Sequence, residues 1–84
     1  MNVIVNVSYI DELSTVGYSF MEDCPELTSE QFNEVAMDLI KSNYSRKTAE
    51  EGKSAKVVIS KAGFPRKQLA YAFMSFSERL AQED

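Results

Sequence analysis

A chain of 84 residues, 44% hydrophobic and 26% charged, is too short for a second core and too apolar for wholesale disorder, so residues 1–84 read as one domain. It has no histidine, a single cysteine and three isolated glycines, which removes the commonest general base and metal ligand, any intrachain disulfide and any glycine-rich phosphate loop. Catalysis, metals and cofactors are therefore not expected, and Cys24, set among Glu22, Asp23 and Glu26, reads as incidental because reactive cysteines sit in electropositive surroundings. No stretch approaches the roughly 18 apolar residues that cross a bilayer, and residues 3–10 lack the basic flank of a signal peptide. A cytoplasmic setting with no membrane partner is the expectation.

In chain order, Val3, Val5, Val7 and Tyr9 alternate with mostly polar residues, which predicts a half-buried strand. After the polar stretch 11–14 the alternation resumes with Val16, Tyr18 and Phe20, so the two strands should form an antiparallel hairpin with these seven residues facing the core. Thr28 and Gln31 have the spacing of a capping box, and Leu27 and Phe32 that of a hydrophobic staple. A helix should begin at Ser29 and pack Phe32, Val35, Ala36, Leu39 and Ile40 on the sheet. Residues 45–54 are polar and charged and read as a flexible loop. Val57, Val58 and Ile59 form a β-branched run that predicts a third strand. Beyond Pro65, the positions Leu69, Ala72, Phe73, Phe76 and Leu80 fit a second amphipathic helix that ends in a short frayed tail. The expected fold is α+β in the order ββαβα, a three-stranded antiparallel sheet with two helices packed on one face. The other face and one strand edge are left open.

The net charge of −4 conceals a segregated chain. Residues 1–40 hold eight acids and no base, whereas residues 41–67 hold eight bases against Glu50 and Glu51. On the first helix Glu30, Glu34 and Asp38 stand four apart and form an acidic ridge, a candidate surface for a basic partner. In the basic stretch, residues 58–69 resemble the turn and recognition helix of helix-turn-helix regulators, with Gly63 at the turn and Leu69 at a later core position. That resemblance implies that Arg66, Lys67 and Gln68, helped by Lys61, open a helix that enters the major groove. It departs at Ile59, where the family carries a small residue. Tyr71 and Met74 widen the apolar face of the second helix and are candidates for self-association into a homodimer.

These features place a non-enzymatic protein-binding module first, a small regulator or stoichiometric inhibitor of a larger protein. A nucleic-acid-binding regulator using residues 53–68 is the alternative, and an enzyme is the least supported reading.

Overall fold

The computed structural model describes residues 1–83, folded as an antiparallel sheet of four strands with three helices. Strands β1 (Asn2–Ile10) and β2 (Thr15–Asp23) form the expected hairpin, closed by Asp11, whose carboxylate accepts from the Leu13 and Ser14 amides at 2.8 and 2.7 Å. Those two amide bonds hold the Asp11 carboxyl below its ordinary value. At Gly17 the strands approach so closely that a Cβ would stand 2.4 Å from the Val7 carbonyl oxygen, so only glycine fits there.

Helix α1 (Ser29–Asn43) starts where the capping box places it. Thr28 Oγ1 accepts from the Gln31 amide at 3.2 Å, and Gln31 Oε1 accepts from the Thr28 amide at 2.9 Å. The helix buries Phe32, Ala36 and Ile40, and its C-terminal neighbour Tyr44 is buried with its hydroxyl donating to the Lys53 carbonyl. Burial, chiefly, holds the Tyr44 phenol above its ordinary value.

Residues 45–54 differ from the expected loop. Ser45 caps a short helix α2 (Arg46–Glu50) whose Ala49 is buried, and Gly52, at φ 80°, makes the turn into β3 (Ser54–Lys61).

The larger correction follows Pro65. Residues expected to form the second amphipathic helix instead form β4 (Lys67–Met74), antiparallel to β3, and only then a short α3 (Phe76–Ala81), capped by Ser75 and Glu78. Leu69, Ala70, Tyr71, Ala72, Phe73 and Met74 are apolar at every position, so both the helical and the strand period fit them. The free edge of β3 decides between the two by supplying hydrogen-bond partners along its length. The sheet therefore has four strands in the order β2-β1-β3-β4, not three.

The register defines the two faces. Val3, Val5 and Val7 of β1, Ala55, Val57 and Ile59 of β3, and Ala70, Ala72 and Met74 of β4 line one face and are buried. Helix α1 lies over β3 and β4 on this side. Helices α2 and α3 pack on one another, held by the Arg46 guanidinium donating to the Gln82 and Leu80 carbonyls at 3.0 and 3.2 Å and by Arg79 Nε donating to the Tyr44 carbonyl at 2.9 Å. The opposite face carries Ile4, Asn6, Met21, Lys56, Val58, Tyr71 and Phe73, and among the described residues no helix lies over it.

Candidate functional site

The two outer strands are unlike. On β4 the Tyr71 amide donates to Asn33 Oδ1 of α1 at 3.4 Å, and the helix packs along that strand. On β2 every residue is exposed, and among the described residues none bonds to the outward row of its backbone groups. The strand is nine residues long, runs in unbroken register with β1, and contains no proline, lysine or bulge, the devices that ordinarily blunt a sheet edge.

Val16, Tyr18 and Phe20 of β2 stand opposite Tyr9, Val7 and Val5, so they share the helix-side face as expected. They are not core. Their exposures are 58%, 48% and 37%, against 0% for Val57 on the same face. The reason is geometric: an α-helix is about 10 Å wide and strands lie about 4.8 Å apart, so one helix with its flanking side chains covers two or three strands but not four. α1 spends its width on β3 and β4, where Ala70 and Ala72 below and Ala36 above let it sit close. Asn33 marks the flank of α1 toward β4, and by helical phase Val35 and Leu39 lie on the opposite flank, toward β2. Val5 and Val7 of β1, between α1 and β2, are buried, so the cover ends at β2 and leaves Val16, Tyr18 and Phe20 as a partly exposed apolar strip along that outer strand.

Aromatic rings stand both at the edge of the core and on this strip. Tyr44 meets Tyr9 with ring centroids 6.0 Å apart, and Tyr18 stacks on Phe20 at 6.2 Å. The Tyr9 hydroxyl donates to the Asn43 carbonyl at 3.3 Å, and burial first, then the neighbouring Tyr18, holds its phenol above the ordinary value. The strip offers contact area rather than chemistry.

The two ends of the strip are acidic. Glu22 and Asp23 close one end of β2, with Asp23 accepting from the Met1 amine at 3.2 Å. At the other end Asp11, Glu12 and Glu51 join Leu13, Gly52 and Phe76 around a depression of about 340 Å³. Glu51 there lies 4.0 Å from Lys53 Nζ. Among the described residues no group of histidine, cysteine or carboxylate side chains is placed to hold a metal ion.

Glu30, Glu34 and Asp38 are exposed on the outer side of α1, turned away from Phe32, Ala36 and Ile40, and among the described residues none forms an ion pair. Tyr71 and Met74 do not share a surface. They lie on β4, where Met74 faces the core and is buried while Tyr71 is half-exposed on the open face. Arg66, Lys67 and Gln68 do not open a helix, so the helix-turn-helix resemblance fails. Arg66 precedes β4, and Lys67 and Gln68 begin that strand. The hairpin nonetheless gathers the basic residues: Lys61 pairs with Lys67, Gln68 with Ser60, and Phe64 is fully exposed at the tip.

Val16, Tyr18 and Phe20 were expected in the core, and their role as surface went unforeseen. The signal that exposes it is the count of layers, since a four-stranded sheet with one long helix cannot cover both of its outer strands. Comparison with protein-family models, with curated proteins and with solved structures finds no match.

Proposed function

We propose that the protein is a non-enzymatic protein-binding module, a small regulator or stoichiometric inhibitor, whose binding surface is the outer edge of β2 and the strip Val16, Tyr18 and Phe20. The observation that carries this reading is the placement of large side chains. Tyr18 and Phe20 stay partly exposed on the helix-side face, while alanines fill positions beneath the helix. Burying such a strip against a partner recovers about 25 cal/mol for each Å² of apolar surface removed from water, and aromatic residues dominate such contacts. The ridge of Glu30, Glu34 and Asp38 lies apart from the strip and contributes a long-range field that draws a basic partner toward this side of the molecule. A nuclease-treated pull-down from host lysate, with Tyr18→Lys beside the wild type, tests the reading. A stoichiometric protein band that is lost with Tyr18→Lys is the expected result; an unchanged band removes the strip from the site.

A second reading, nucleic-acid binding, is favoured by the β3–β4 hairpin. Lys61 and Lys67 sit directly opposite one another, an unfavourable like-charge pair that a phosphate would relieve, with Arg66 and the exposed Phe64 beside them. Its signature is affinity for single strands that falls steeply with salt and is abolished by Arg66→Glu with Lys67→Glu.

A further inference from the structure

The geometry points to the partner's form: an extended, basic segment that adds to β2 as a fifth strand of the sheet. This inference rests on the protein-binding reading of the same strip and specifies what occupies it.

Four observations converge on a strand. Among the described residues the outward backbone groups along the nine residues of β2 have no protein partner, whereas on β4 the Tyr71 amide donates to Asn33 of α1. The register with β1 is free of bulges, so the edge is straight enough to pair along its whole length. Val16, Tyr18 and Phe20 alternate along it, so a strand docked beside them sets every second side chain on the same face as this apolar strip. Both ends of the strip are acidic, with Glu22 at one and Asp11, Glu12 and Glu51 at the other.

Charge selects among occupants. A second copy, paired about the middle of β2, would bring Glu22 and Asp23 of each chain beside the acid-bearing hairpin end of the other; the Met1 amine offsets Asp23 and Lys53 offsets one acid at the hairpin end, which leaves both ends with excess negative charge. Self-pairing is thus opposed, and a partner strand with apolar residues on one side and lysine or arginine on the other is favoured.

The test uses ten-residue peptides of alternating valine and lysine titrated into isotope-labelled protein, read by amide chemical shifts and by hydrogen exchange. Two further versions carry N-methyl groups on alternate amides, one version for each edge of the peptide. The expected result is shifts centred on residues 15–23, slowed exchange of the outward amides there, and binding lost with one methylated edge but kept with the other. A valine–glutamate peptide should bind at least about tenfold more weakly. Shifts centred elsewhere, equal binding by both methylated versions, or no binding of the lysine peptide would overturn strand addition. So would concentration-dependent protection of residues 15–23 without peptide, which would identify the occupant as a second copy. If the host-lysate partner is lost with Tyr18→Lys yet the methylated edge makes no difference, protein binding stands and strand addition falls. If the lysate yields no partner and the peptides do not bind, both fall.

Discussion

The covered and uncovered halves of one sheet face are built from opposite materials. Over β3 and β4, where α1 lies, the side chains are Ala55, Val57, Ile59, Ala70, Ala72 and Met74, none of them aromatic, three of them alanine and all buried. Over β2, which has no roof, they are Val16, Tyr18 and Phe20, large and wet. A chain this short gains its stability from few residues, and placing two aromatic rings outside the core gives up burial that a self-sufficient fold would use. The contrast separates positions that hold the fold from positions that are free to serve a partner.

Truncation on each half gives the sharpest break. Ile59→Ala, beneath the roof, should cost about 2–4 kcal/mol, a large share of what so small a domain possesses, whereas Tyr18→Ala should change stability by less than about 1 kcal/mol. Urea unfolding of the two variants measures both, and equal losses would mean that β2 is part of the core after all. Enlarging the covered half comes next. Ala72→Leu should lift α1 from the sheet and cost about 1–3 kcal/mol, while the same change of volume at Val16 should cost little. The smallest effect lies at the turn into β2. Asp11→Ala removes the carboxylate that accepts from the Leu13 and Ser14 amides and should loosen the hairpin. Because the folded protein holds the Asp11 carboxyl below its usual value of 3.8, the wild type's advantage is present in full well above that pH. It shrinks as the pH falls below 3.8 and vanishes once the folded-state value is passed. Thermal melts of the two proteins across that range check the sign, and a difference that grows on acidification would refute it.

The hairpin and α1 were legible because their signals are local: strict alternation around a short polar turn, and a capping box three residues wide. β4 was not. Its residues Leu69 to Met74 are apolar throughout, and what makes them a strand is the unpaired edge of β3, a partner that no local window contains. The remaining differences descend from that one. Replacing a second long helix by a fourth strand widens the sheet while halving its roof, so Val16, Tyr18 and Phe20 change from expected core to surface without changing face. The same replacement separates Met74 from Tyr71, because neighbours three apart lie together on a helix and on opposite faces of a strand. It also removes Arg66, Lys67 and Gln68 from a recognition helix while leaving Lys61 beside Lys67. Glu30, Glu34 and Asp38 fall on one exposed side of α1, since that depends only on helical spacing.

The strand order β2-β1-β3-β4 also governs how the chain can assemble. Both outer pairs are local hairpins, but the seam between β1 and β3, where Val5 meets Ile59, closes over about fifty residues and carries the entropic cost of that loop. During synthesis the first hairpin and α1 emerge before β3 exists, leaving the valine-rich β1 with an unsatisfied edge of its own. Eight acids and no base over residues 1–40 give that nascent half a uniform negative charge. Mutual repulsion then keeps unfinished copies apart during the interval when they are most able to stick to one another.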